Sequence, residues 1–134
     1  INQLVFDCGY TAASLRERLY CSDDGTAVPA MNGLLVYTAS GDSEGSMGGL
    51  VRMGEPDELD RVFEAALDHA RFCSSDPICM EIGAKGQGPN SMNLAACHSC
   101  ALVPETSCEL FNAYLDRALL IGVPGDPSLG LFSL

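Results

Sequence analysis

Two cysteines three positions apart, Cys97 and Cys100, sit in a chain that places five of its seven cysteines between Cys73 and Cys108. A C-x2-C turn aims two thiolates at one ion from a single backbone loop, and a second pair of ligands from elsewhere completes the tetrahedron. Such a site forces distant segments to one point, and no hydrophobic pattern in the chain constrains the fold as strongly. The expected ion is a structural Zn2+.

The knuckle pair is Cys97 and Cys100, and the expected second pair is Cys79 and Cys108. Each of those follows a loop-like stretch, Asp76-Pro77 in one case and Pro104-Glu105-Thr106-Ser107 in the other, where a side chain can turn inward. Cys73 competes for the same role. With it the spacing becomes C-x5-C-x17-C-x2-C, which also resembles a zinc ribbon, and His98 lies within the knuckle as a further possible ligand. Four protein ligands leave no open coordination position, so no activated water is expected.

Other uses of these residues compete less well. An odd number of cysteines argues against a disulfide framework. A redox C-x2-C opens a helix after a strand, whereas this one follows the segment Asn93-Leu94-Ala95-Ala96, read as a short helix. Cys8 and Cys21 have no partner at ligand spacing and are read as buried free thiols. A cysteine nucleophile activated by His98 requires sequence neighbours to point at each other, and His69 reads as a packed or surface residue. Glu105, Glu109 and Asp116 are explained by capping and ion pairing, Asp116 with a nearby Arg. A metal- or cysteine-dependent hydrolase is therefore the second reading, and an interaction module outside DNA metabolism the third. Catalytic residues: none are expected.

The length of 134 residues allows one domain, 1–134, large enough for a modest core and small enough to profit from a metal cross-link. Eighteen carboxylates against seven Lys and Arg leave a surface ill suited to gripping nucleic acid by itself. No apolar run approaches membrane-spanning length, so a cytoplasmic domain with no membrane contact is expected. Ile1, Leu4 and Val5 fall at helical spacing, like a helix cut in its middle, and the chain is read as an N-terminally incomplete fragment of a larger protein.

The periodicity predicts an α+β domain, mostly helical with a small sheet. Ser14 and Glu17 have capping-box spacing for a short helix carrying Arg16 and Arg18. Gly33–Ala39 is a continuous apolar run and is predicted to be a central strand buried on both faces. The glycine-rich stretch from Gly41 to Leu50 lacks the Lys-Ser or Lys-Thr of a phosphate loop and carries Asp42 and Glu44, so it is read as a turn. Pro56 opens a helix with Asp57 and Glu58 in its first turn; Leu59, Val62, Phe63, Ala66, Leu67 and Ala70 make its apolar face. A long irregular loop, 74–93, follows. Thr106 and Glu109 predict a last helix that runs to Gly122, with Cys108 in its first turn stabilised as a thiolate by the helix dipole, and residues 122–134 form a tail.

Several motifs occur together in order: Gly9-Tyr10-Thr11-Ala12-Ala13-Ser14-Leu15-Arg16-Glu17-Arg18-Leu19-Tyr20, Gly48-Gly49-Leu50-Val51, Asn93-Leu94-Ala95-Ala96-Cys97-His98-Ser99-Cys100, Pro104-Glu105-Thr106-Ser107-Cys108-Glu109, then Asn112 and Leu115-Asp116-Arg117. In these the chain resembles the conserved domain of DrmB-type proteins of the DISARM antiphage defence system, over nearly its whole length. It is also similar to the zinc-binding C-terminal module of Mrf-type DNA-repair helicases. The resemblance implies a zinc-bearing accessory role beside a superfamily 2 helicase partner, with DNA engaged indirectly through that complex. It carries over Cys97, Cys100 and Cys108 as ligands together, with Cys79 or Cys73 as the fourth.

Overall fold

The computed structural model describes residues 1–22, 31–39, 49–81 and 85–132. Among them five helices and one two-stranded antiparallel sheet are arranged in the order α1 (Asn2–Cys8), β1 (Leu15–Cys21), β2 (Asn32–Thr38), α2 (Gly49–Arg52), α3 (Pro56–Ala70), α4 (Ile78–Glu81) and α5 (Arg117–Ile121). The α+β class predicted from periodicity is the class observed.

Helix α1 ends at Gly9, which adopts φ 72° and donates its N–H to the Val5 carbonyl. That left-handed closure is strained for any residue with a Cβ, so glycine belongs there. α1 packs against α3 and α2. The helix predicted from Ser14 and Glu17 does not form; Leu15–Cys21 is β1, paired with β2 from Leu15↔Thr38 to Cys21↔Asn32. Local capping chemistry lost to pairing over the whole strand. Ser14 Oγ donates back to the Thr11 carbonyl at 2.8 Å, and Glu17 accepts the Glu109 backbone N–H at 3.2 Å.

β2 was predicted to be central and buried on both faces, and it is neither. It has β1 as its neighbour in a two-stranded sheet, and Leu34, Leu35 and Tyr37 are all largely exposed. An apolar run reports β propensity, not how many layers cover the strand. The glycine-rich segment before α2 lies mostly outside the described residues, which resume at 49.

α3 forms where predicted. Pro56 stands at its first turn with Asp57 and Glu58, complementing the unsatisfied N–H groups and positive end of the helix. Its apolar face is only partly covered: Val62 is buried, Ala66, Leu67 and Ala70 are half-buried, and Phe63 is exposed. Arg61 on the opposite side reaches Glu58 at 3.0 Å and Asp7 of α1 at 3.6 Å. That surface pair adds little energy and orients the two helices.

Among the described residues the buried hydrophobic set is small: Leu15, Met53, Val62, Cys73, Cys79, Ala95 and Ala96. Two of these are thiols and two are alanines, so little apolar area is buried by large side chains. A domain with so thin a core is the kind that a metal cross-link stabilises.

The stretch after α3 is more ordered than a loop. It carries α4, with Cys79 on it, and a short 3-10 turn at Pro89–Ser91. Gly88 N–H bonds to the Met92 carbonyl, and a Cβ at Gly86 would collide with that same carbonyl. The close approach folds the segment back toward the knuckle. The last helix is shorter than predicted. Glu105–Ser107 is a single 3-10 turn, Phe111 and Asn112 have positive φ, and α5 starts only at Arg117. The side chain of Asp116 caps α5, accepting from the N–H groups of Ala118 at 2.9 Å and Leu119 at 3.2 Å. Beyond it, the N–H groups of Leu131 and Phe132 bond to the carbonyls of Leu119 and Leu120, both at 2.9 Å.

Candidate metal centre

Four thiols from three separate stretches meet at one point. Cys73 follows the end of α3, Cys79 lies on α4, and Cys97 and Cys100 form the knuckle; their Sγ atoms all lie within 4.8 Å of one another. Cys73 and Cys97 are 3.5 Å apart, Cys79 and Cys100 3.8 Å, and Cys97 and Cys100 3.8 Å. Zn–S bonds of about 2.3 Å put the sulfurs of a regular tetrahedron about 3.8 Å apart. The thiol cage has the size that a tetrathiolate zinc requires.

The knuckle is a tight turn in which the N–H groups of Cys100, Ala101 and Leu102 all point at the Cys97 carbonyl, at 3.1, 3.1 and 3.2 Å. Backbone donors also reach the sulfurs. Cys97 N–H approaches Cys100 Sγ at 3.2 Å, and Ser75 N–H approaches Cys73 Sγ at 3.4 Å. Such donors favour the charged thiolate. Burial pushes the Cys79 thiol up to about 12, reinforced by the neighbouring thiols of Cys97 and Cys100. Burial acts upward on Cys97 as well, but the Ser99 backbone and the thiols of Cys73, Cys79 and Cys100 outweigh it and bring Cys97 down to about 6. A cation bound by these sulfurs takes them as thiolates, so binding it releases the protons that the thiols carry.

Cys108 is not brought to this point. It was expected in the first turn of a helix, where the dipole would favour a thiolate; it sits instead in extended backbone after the 3-10 turn. Burial raises its thiol, and the Glu17 carboxylate raises it further. Cys73, the competing candidate from the spacing, occupies the fourth place. Cys8 and Cys21, expected as buried thiols, are half-buried and exposed, and neither belongs to the group. His98 is exposed at the turn, and His69 stands edge-on to the Phe6 ring with centroids 6.3 Å apart.

The carboxylate pairing differs from expectation too. Asp116 caps α5, while the ion pair belongs to its neighbour Arg117, whose partner is Asp76. Arg117 is 2% exposed and forms a two-pronged contact with the Asp76 carboxylate, one prong at 3.1 Å. Its guanidinium also donates to the Ala70 carbonyl at 3.0 Å and the Ala95 carbonyl at 3.4 Å. Asp76 in turn accepts the Cys73 N–H at 2.9 Å. Hydrogen bonding to Arg117 holds the Asp76 carboxyl below its ordinary range despite some desolvation. No short-range signal marks this pair, because its members lie 41 residues apart.

A profile of the MrfA Zn-binding domain matches residues 1–101, three quarters of the chain and all four clustered thiols. The chain belongs to the MrfA Zn-binding domain family. Cys108 falls outside the matched residues, as does Arg117. The chain is also similar to the DISARM protein DrmB of Bacillus paralicheniformis, at 44% identity over 121 residues, which is 90% of this chain and 20% of the relative. It thus spans about a fifth of the length of that curated relative. The resemblance read from the motifs is the one these comparisons return, and the zinc expected from the knuckle is the ion of the family. No helix among the described residues is long and apolar enough to cross a membrane.

Proposed function

We propose that this chain is a non-catalytic, zinc-stapled accessory module of an antiphage defence protein of the DISARM type, and that it supports a superfamily 2 helicase partner. The ligands in this reading are Cys73, Cys79, Cys97 and Cys100. The observation that carries it is the closed cage of four thiols: with every tetrahedral position taken by a protein sulfur, the ion has no site for an activated water or substrate. Its work is to join the end of α3, α4 and the knuckle into one surface. The net charge of −11 supports leaving the grip on DNA to the partner or to other parts of the protein. The similarity to DrmB supports the defence setting, and the similarity to a MrfA domain supports a helicase context, which includes DNA repair.

Affinity purification of the intact protein from its own cells tests the partnership. A helicase is expected to come down with the zinc-loaded protein and to be lost with the Cys97→Ser, Cys100→Ser variant. Recovery of the zinc-loaded protein free of any helicase, under gentle salt, would sink this reading. A water ligand seen by metal-edge spectroscopy would instead reopen the hydrolytic alternative.

A further inference from the structure

We infer that Arg117, clamped to Asp76, is the positioning residue that sets the two halves of the thiol cage against each other. The inference rests on the four-thiolate reading above and adds residues that no ligand spacing identifies.

The cage has two halves that approach from different parts of the chain. Cys73 and Cys79 come from the stretch after α3, and Cys97 and Cys100 from the knuckle. Arg117 touches both halves and the helix behind them. Its contact with Asp76 lands between Cys73 and Cys79, and Asp76 passes the constraint on by accepting the Cys73 N–H. Its Nε donates to the Ala95 carbonyl, two residues before Cys97, the same carbonyl that Cys100 Sγ approaches at 3.9 Å. Its remaining contact, with the Ala70 carbonyl, anchors the end of α3 three residues before Cys73. One buried side chain therefore touches segments on both sides of the cage. A planar guanidinium with donors in a fixed fork suits that task, and a lysine with one rotatable ammonium does not.

Cys97 and Cys100 are fixed to each other by their own turn, and Arg117 reaches both halves directly, whereas the Gln87 amide, which approaches Cys79 Sγ at 3.8 Å, touches a sulfur of one half. Residues outside the metal's own ligands that orient those ligands typically change metal affinity by about 10- to 100-fold when removed. Arg117 lies beyond residue 101, so the clamp reaches the site from outside the part of the chain that matches the family profile.

The test is zinc affinity, measured in the intact protein by competition with a chromophoric chelator, for Arg117→Met, Arg117→Lys, Asp76→Asn and the Arg117→Met, Asp76→Asn double variant. Each single change is expected to weaken zinc about 10- to 100-fold, with Lys no better than a partial rescue, while cobalt substitution still gives the intense sulfur-to-cobalt absorption of a tetrathiolate. Because one bridge is being cut, the double variant should lose about as much as the worse single variant, not the product of the two. Zinc held by Arg117→Met and Asp76→Asn as tightly as by the unsubstituted protein would overturn the clamp, as would two independent, multiplying losses. Should Arg117→Met fail to fold, Asp76→Asn keeps the arginine's length and charge and decides the matter. The ligand reading fails differently: there the Cys97→Ser, Cys100→Ser variant would keep its zinc, or cobalt would show no tetrathiolate spectrum in the unsubstituted protein.

Discussion

At the scale of single residues, the division between ligand and bystander turns on a few ångströms that the spacing of cysteines does not contain. Cys73 lies well before the knuckle along the chain and Cys108 shortly after it, and both fit a loose ribbon pattern. What separates them is backbone direction. Cys73 leaves the end of α3 pointing into the cage, whereas Cys108 follows a 3-10 turn that takes it to Glu17. Cys108→Ser is therefore expected to keep one zinc per chain by elemental analysis, while Cys73→Ser is expected to lose it or to bind it far more weakly. Retained zinc in the second variant and lost zinc in the first would reverse the assignment.

Among the elements, those predicted correctly carry their own signals and those predicted wrongly depend on a partner. α3 has proline at its start, acids in its first turn and a helical apolar period, and it forms at Pro56–Ala70. The segment after Ser14 has helical capping spacing over only a few residues, and it is claimed by β2 through a ladder seven residues long. The segment after Thr106 fails as a helix because Glu109 is drawn to the sheet, where it accepts the Leu19 N–H at 3.0 Å, and because Phe111 and Asn112 turn to positive φ. α5 then depends on a cap of its own. Asp116→Ala removes the side-chain acceptor for two N–H groups and is expected to destabilise the domain by about 1 kcal/mol in denaturant melts, with Asp116→Asn or Asp116→Ser recovering most of it. An unchanged midpoint for the alanine variant would show that this short helix is held by packing alone.

For the whole molecule, the described residues bury little apolar mass and gather four thiols and an arginine at one place instead. Among the described residues the large apolar side chains that are deeply buried are Leu15 and Met53, and the other deeply buried positions are thiols, small residues and Arg117. Removing zinc with a strong chelator is therefore expected to lower the unfolding temperature sharply or to abolish a cooperative transition, and added zinc to restore it. A melt indifferent to chelation would refute the metal staple. Acid acts on the same region by a second route. The Asp76 carboxyl is held below its ordinary value of 3.8 in the folded state, first by hydrogen bonding to Arg117. A depressed folded-state value means that its contribution is complete above pH 3.8 and is lost as pH falls below it. In melts of the zinc-loaded protein taken across acid pH, Asp76→Asn is expected to remove that part of the acid sensitivity and to leave the part that comes from protonating the thiolates.

By itself the sequence determined what depends on local chemistry: the knuckle turn, α1 and α3, the presence of a small sheet, the choice of zinc and the family resemblance. A C-x2-C turn, a proline-started amphipathic helix and a run of motifs are legible because each is encoded within a few residues. The tertiary structure alone decided which cysteines share the cage, that the Gly33 run is half of an exposed hairpin, and that Arg117 answers Asp76 across 41 residues. Those outcomes depend on how separate segments approach one another in space, and residue spacing carries no term for that distance.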